Sequence, residues 1–330
     1  MKRILDIKNL QVNFKTYAGT VYAVRDISFY LNQGETLAIV GESGCGKTAT
    51  SKTILRLLPK YISDIAKGSI EFNGKDLVKL SEKEMNKVRG GEIAMIFQDP
   101  MTSLNPTMKV GEQIMESLIL HKRLSKSEAR KEAIEMMKLV NIPQAEMRME
   151  AYPHEFSGGM RQRVMIAIAL SCGPKILIAD EPTTALDVTI QAQIMALMKK
   201  LQSEMDTAII LVTHDLGVVA GVADRIQVMY AGEIVETGTT VDIFKNPCHP
   251  YTVALLKSIP ATNSKNKSEL YSIKGTPPDL IAPPKGCGFA YRCEHRMEIC
   301  MQMRPQDFDL GNGHLCKCWL EHPYAKEGRE

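Results

Sequence analysis

The sequence predicts an α/β fold with a parallel sheet at its centre. Residues 176–179 and 208–213 are near-continuous apolar runs, the pattern of strands buried on both faces. Residues 189–202 between them carry a helical pattern, so the three segments read as a strand–helix–strand crossover. Upstream, a strand-like stretch at 36–40 passes through a Gly-rich turn into a helical stretch at 47–58, closed by Pro59.

Composition narrows the possibilities. The 330 residues allow one large α/β domain with an appendage, or two modest domains. Hydrophobic residues at 44% and charged residues at 24% are ordinary globular values and exclude a disordered or fibrous chain. No apolar run approaches the ~20 residues of a membrane-spanning helix. The start, Met1-Lys2-Arg3-Ile4-Leu5-Asp6, breaks into charge at once, unlike a secretory signal, and a cytosolic chain is expected. The formal net charge of +3 is too small to call for nucleic acid. Cysteine is the uneven component: five of the eight lie at Cys287, Cys293, Cys300, Cys316 and Cys318. In a cytosolic chain such crowding points to metal or redox chemistry before disulfides.

Taken in order, residues 4–7, 11–14, 23–30 and 36–40 read as short strands rich in β-branched and aromatic residues. Strands are expected at 68–72 and 93–97, with a charged helix near 81–89 between them. Residues 110–140 carry helix formers with a 3.6-residue period in Ile114, Leu118, Ile134, Met137 and Leu139. After residue 259 the chain turns polar and small, then rich in Pro and Cys. A boundary is placed there, giving domains 1–259 and 260–330.

Gly41-Glu42-Ser43-Gly44-Cys45-Gly46-Lys47-Thr48 fits the phosphate-loop pattern G-x-x-x-x-G-K-[ST], with a strand before and a helix after. Its glycines let successive N–H groups curl around phosphate oxygens at a helix N-terminus. Lys47, expected at the loop surface, should reach the β- and γ-phosphates, and the Thr48 hydroxyl should bind Mg²⁺. The apolar strand at 176–179 ends in Asp180-Glu181. Asp180 suits Mg²⁺ and Glu181 suits the polarisation of an attacking water. Phe156-Ser157-Gly158-Gly159-Met160-Arg161-Gln162 precedes a helix. Ser157 is a good N-cap, and the glycines leave N–H groups open to an anion.

In this order, these motifs resemble the ATPase subunits of ABC transporters. The resemblance covers roughly residues 1–255. It implies an ABC-type P-loop ATPase domain with an antiparallel β subdomain and a helical signature subdomain at about 100–165. Phe156–Gln162 resembles the family's Leu-Ser-Gly-Gly-Gln signature. Phe156 and Met160 depart from it, while Ser157-Gly158-Gly159 is intact. The resemblance implies that Gly41, Ser43, Gly44, Cys45, Gly46, Lys47, Thr48 and Ala49 bind ATP. It makes Gln98 a contact of Mg²⁺, Ala185-Leu186-Asp187 a dimer-interface loop and His214 a γ-phosphate contact. Phe14 falls where the family stacks an aromatic ring on adenine, in competition with Tyr17 and Tyr22.

A subfamily shows in Gln98-Asp99-Pro100-Met101-Thr102-Ser103-Leu104-Asn105-Pro106 and Asn246-Pro247-Cys248-His249-Pro250-Tyr251-Thr252, which resemble the ATPases of peptide importers. Close relatives in that subfamily serve dipeptides, oligopeptides, nickel and some sugars. The tail spacing Cys287-x₅-Cys293-x₆-Cys300-x₁₇-Cys318 is neither a zinc ribbon nor a common ferredoxin pattern, and alone it leaves zinc and iron–sulfur comparable. The resemblance implies a [4Fe–4S] cluster on Cys287, Cys293, Cys300 and Cys318, with Cys316 spare.

The resemblance further implies an ATP-hydrolysing subunit, peripheral at the cytoplasmic face of the membrane. Its partners would be two permease subunits, a second related ATPase closing head to tail, and indirectly an extracellular solute-binding protein. Nickel or another solute, or an ABC ATPase outside transport, are the alternatives. Because the phosphate loop and the cysteine tail lie in different predicted domains, they are expected to act independently.

Overall fold

The computed structural model describes residues 2–184, 186–259 and 271–327. The expected boundary at 259/260 opens onto residues 260–270, outside that set, as is Ala185 of the expected interface loop. The chain forms two compact units. One comprises Met1–Ile4, Leu31–Thr36 and Lys79–Val212. The other comprises Leu5–Tyr30, Leu37–Val78 and Thr213–Glu330.

In the first unit, strand Ile176–Asp180 pairs in parallel with Ile93–Ile96 on one side and with Ala208–Thr213 on the other. Ile176–Asp180 is buried at every position, as its unbroken apolar run requires. The crossover helix Val188–Met205 starts at the Asp187 cap, whose carboxylate accepts the Ile190 N–H at 2.9 Å. The stretch expected to be helical over 110–140 is two helices, Val110–Ser117 and Lys126–Leu139. A π-turn at Leu118–Lys122 and a left-handed Arg123 (φ 58°) separate them. The second helix restarts on a Ser125/Glu128 capping box.

In the second unit, an antiparallel sheet is built from Gly19–Asn32, Arg3–Thr16, Ser63–Phe72 and Lys75–Asp76, in that order. The strands expected at 4–7 and 11–14 are one strand here. A left-handed Asn9 (φ 50°) and a register shift between Lys8 and Gln11 carry it through a bulge. Strand Thr36–Val40 pairs in parallel with Arg225–Tyr230, which pairs antiparallel with Glu233–Thr239. Two short C-terminal strands, Leu315–Cys316 and Phe308–Asp309, extend that edge. The helix after the Gly-rich loop runs Lys47–Ile54 and stops short of 58. It closes in a Schellman turn: Leu57 N–H reaches the Lys52 carbonyl, Arg56 N–H reaches the Thr53 carbonyl, and Arg56 is left-handed at φ 52°. With no glycine to mark that stop, the sequence carried the expectation on to Pro59.

Among the described residues no helix is long and apolar enough to cross a membrane.

Candidate nucleotide and thiol sites

The Gly-rich loop follows the buried strand Thr36–Val40 directly. Gly41 and Gly46 are needed there for steric reasons. Gly46 sits at φ 105°, and a Cβ would meet the Ala23 carbonyl oxygen at 2.4 Å; a Cβ on Gly41 would meet the Met229 carbonyl oxygen at 2.1 Å. Gly44, at φ 79°, has open space around it, leaving room for a ligand against the loop backbone. Lys47 is buried, against the expectation of a surface residue. Its ammonium group donates to the Gly41 carbonyl at 2.7 Å and the Glu42 carbonyl at 2.9 Å, which draw it back across the loop. Cys45 is buried with Sγ 3.9 Å from that ammonium, and burial pushes its thiol above the usual range. His214 lies in the same unit, exposed just after strand Ala208–Thr213. Phe14 is half-buried in strand Arg3–Thr16, whereas the Tyr17 ring stands fully exposed at the hairpin tip.

Gln98, Asp180, Glu181 and the Ser157 segment belong to the first unit. Asp180 is the buried last residue of its strand. Glu181 turns out of the strand with a left-handed backbone at φ 47°, a strained conformation for a residue with a Cβ. Its N–H donates to the Val212 carbonyl at 2.8 Å, and its carboxylate accepts Gln98 Nε2 at 2.8 Å and Thr184 Oγ1 at 2.9 Å. The strained turn and the two donors orient the carboxylate.

Ser157 caps helix Gly158–Leu170, its hydroxyl accepting the Met160 N–H at 3.4 Å. Gly159 has Ile190 so close that a Cβ would sit 2.8 Å from its Cγ2. Phe156 is buried beneath the Arg148 guanidinium, 5.2 Å from the ring centroid. The position takes a large apolar anchor, so Phe can stand where Leu is usual, and the exposed Ser157 and Gly158 are unaffected.

Four of the C-terminal cysteines form one electrostatic group. Burial pushes Cys287 and Cys318 up to about 12, and the neighbouring thiols add to it: Cys300 and Cys293 for Cys287, and Cys287, Cys293 and Cys300 for Cys318. Cys293 is raised by burial and also feels Cys300. Against that rise, the backbone amides of Phe289, His295 and Leu320 pull the Cys287, Cys293 and Cys318 thiols, respectively, back down. N–H groups two residues past a sulfur stabilise its thiolate, as metal-bound cysteines require. The Cys287 N–H donates to the Cys300 carbonyl at 2.8 Å, closing the loop that carries them. Cys316 faces elsewhere. It pairs with Glu236 across the strands, and the charges it feels after burial are those of Glu236, Cys318, Cys248 and Glu321.

Two features escaped the sequence reading. Glu236, fully buried, accepts the Cys248 N–H at 2.8 Å, the His249 N–H at 2.9 Å and shares a 2.9 Å hydrogen bond with His314 Nε2. The Cys248 thiol lies within 4.8 Å of these groups, a donor set that could hold a metal. The carboxylate is already shared among three partners, and burial and Glu236 push Cys248 up to about 12, so the set also closes on itself without an ion. Second, Arg292 reaches from beside Cys293 to the carboxylate of Glu42 in the Gly-rich loop. The cysteine tail and the loop therefore touch directly within one compact unit, although they fall in different predicted domains. A lone x in a motif and a lone Arg 250 residues on carry no periodic signal.

His249 shows what the Asn246–Thr252 motif does structurally. Its Nδ1 accepts the Tyr251 N–H at 3.1 Å and caps helix Pro250–Lys257, and full burial lowers its pKa to about 3. The folded state therefore holds His249 neutral while the unfolded chain protonates near 6.5. This contribution to stability is complete above about 6.5 and is lost as pH falls toward 3. Urea-unfolding midpoints should fall more steeply across that window in the wild type than in His249→Asn, which keeps a capping oxygen but cannot titrate.

The comparisons with known proteins agree with this geometry. The ABC transporter family model matches residues 24–184, and the model of the oligopeptide/dipeptide transporter C-terminal region matches 235–300. The chain is 59% identical to the oligopeptide transport ATP-binding protein OppD of Bacillus subtilis over 98% of its length and 90% of that protein. It is 56% identical to the dipeptide transport ATP-binding protein DppD of the same organism, over 99% and 97%. Among solved structures, the dimeric ATP-binding cassette MJ0796 bound to ADP and Pi matches at 30% identity and a TM-score of 0.64, covering 72% of this chain and 98% of that one. With an α/β cassette, a phosphate loop, a signature turn and this C-terminal region in one chain, the protein belongs to the family of ATP-binding subunits of oligopeptide and dipeptide ABC transporters.

Proposed function

We propose that this chain is the ATP-hydrolysing subunit of an importer for di- or oligopeptides, working through two partner permease subunits at the cytoplasmic face of the membrane. The observation that carries the reading is the joint match of the cassette and the oligopeptide/dipeptide C-terminal region in one chain. Within it, Gly41, Ser43, Gly44, Cys45, Gly46 and Ala49 offer backbone to the phosphates, and Lys47 supplies charge. Thr48, Asp180 and Gln98 are oxygen donors of the kind Mg²⁺ prefers. Glu181 polarises the attacking water and His214 contacts the γ-phosphate. Ser157-Gly158-Gly159 closes on the nucleotide of a second, related ATPase, head to tail, and Phe14 stacks on adenine. Hydrolysis then does mechanical work, with closure and reopening of the ATPase pair shifting the membrane subunits between access states. Residues 1–259 serve as the ATPase domain and 260–330 as the C-terminal region.

Cys287, Cys293, Cys300 and Cys318 suit a [4Fe–4S] cluster: Cys318 feels the charges of the other three, and Cys287 those of Cys300 and Cys293. When bound, such a cluster supplies a structural staple or a one-electron centre. Thiols must lose their protons to ligate, so loading should strengthen as pH rises.

The test of the nucleotide reading is Lys47→Ala. Its ammonium is the loop's one cation, and the substitution should weaken ATP binding and abolish hydrolysis by the assembled transporter. Unchanged affinity with unchanged turnover would remove Lys47 from the site. Because Lys47 is buried on two carbonyls, Lys47→Arg is the companion variant that keeps charge inside the loop.

A further inference from the structure

Arg292 spends every donor it has. Nη1 donates to Glu42 Oε2 and, at 3.1 Å, to Tyr230 Oη. Nη2 donates to Glu42 Oε1 at 3.0 Å and to the Ile273 carbonyl at 3.2 Å, and Nε donates to the Lys274 carbonyl at 3.0 Å. The two bonds to Glu42 form a fork of the kind only guanidinium makes. The Arg292 side chain is 5% exposed and that of Glu42 24%, so the pair is partly shielded from solvent. The guanidinium also lies 5.8 Å from the Tyr230 and Phe289 ring centroids.

Glu42 is pinned at three points. Arg292 holds its carboxylate, the buried Tyr251 hydroxyl accepts its N–H at 2.8 Å, and its carbonyl accepts the Lys47 ammonium at 2.9 Å. At the other end, Arg292 closes the short turn Ala290–Arg292, its N–H on the Phe289 carbonyl, one residue before Cys293. A connected path thus runs from the backbone turn before Cys293 through Arg292 and Glu42 to Lys47. Glu42 also places a carboxylate within a loop that must accept phosphate anions. Left bare, it would repel them, and the fork with Arg292 neutralises it.

We propose that Arg292 is a positioning residue for the phosphate loop, neutralising and orienting Glu42, and that through it the fold of the thiol-bearing region sets nucleotide affinity. The inference rests on the phosphate-loop reading above.

The measurement is equilibrium binding of a non-hydrolysable ATP analogue with Mg²⁺ to the full chain. Arg292→Ala should weaken binding about tenfold, the scale of one charge-assisted hydrogen bond. Arg292→Lys, with charge but no fork, should fall between. Adding Glu42→Gln to Arg292→Ala should recover most of the loss, because the bare carboxylate is gone; a role in packing alone would show no such rescue. Cys293→Ser should weaken binding by a similar factor and add little on top of Arg292→Ala. Wild-type affinity in Arg292→Ala, or no recovery in the double variant, would overturn the positioning role. Wild-type affinity in Cys293→Ser would sever the link to the thiols. Lys47→Ala in the same assay separates the two readings. If it binds like wild type, the phosphate-loop reading itself fails. If it binds weakly while Arg292→Ala is unaffected, only the present inference does.

Discussion

Replacing Glu181 by Gln should slow ATP hydrolysis on the order of 10²-fold or more, the range for a lost general base, while ATP binding persists. The expectation comes from how Glu181 is held. Its backbone is left-handed at φ 47°, where a side chain is disfavoured, and such strain survives only where the surrounding structure imposes it. The Val212 carbonyl anchors its N–H, and Gln98 and Thr184 both donate to its carboxylate. A Gln side chain has nearly the same size and can still accept from these donors through its carbonyl oxygen, so the turn should keep its shape. What it lacks is a basic oxygen to draw a proton from water. Since the nucleotide would be bound but not cleaved, the variant should also accumulate a closed ATPase pair. Phosphate release by the assembled transporter, beside nucleotide binding by the same preparation, checks both halves. Wild-type turnover would falsify the assignment of the base. A parallel loss of binding would mean that the substitution had disturbed the loop instead.

Much of the fold and of the backbone of the Gly-rich loop was legible, because each rests on a local rule. The Gly-rich loop is fixed by backbone clashes at Gly41 and Gly46, and such positions announce themselves as glycines. The strands at 176–180 and 208–213 are buried throughout, so their apolar runs are unbroken. The breaks were harder to see. Arg56 and Arg123 take left-handed backbones without being glycine, so no residue type marked the helix stop at Ile54 or the interruption after Lys122, whereas Asn9 did mark the bulge and made one strand read as two. The burial of Lys47 was also hidden: a phosphate-loop lysine is read from its ligand, whereas this one is folded onto its own loop carbonyls. Long-range polar contacts were the least visible. Glu42 with Arg292 and Glu236 with His314 join residues far apart in sequence, and each is a single charged residue in a stretch whose pattern is set by something else.

Replacing Cys287, Cys293, Cys300 or Cys318 by Ser should abolish the brown colour and broad visible absorbance of anaerobically purified protein, with loss of about four irons per chain. Cys316→Ser should leave both in place. Spacing alone cannot separate Cys316 from Cys318, which stand two residues apart, but their surroundings can. Cys318 feels the other three thiols, and the Leu320 amide pulls its thiol down, which would favour a ligating thiolate. Cys316 is fully buried on a strand opposite Glu236, whose carboxylate would oppose a second negative charge beside it. A cluster would also meet a structural need of this region. Residues 271–327 contain only short helical turns and two-residue strands, too little regular structure to be rigid without a staple. Loss of the cluster should therefore loosen the turn that carries Arg292 and reach the phosphate loop as weaker nucleotide binding. Iron and sulfide content across the five single variants is the deciding measurement. One tightly bound zinc and no iron in the anaerobic wild type would replace the cluster with a zinc-stapled tail, and bleaching by Cys316→Ser but not by Cys318→Ser would reverse the choice of fourth ligand.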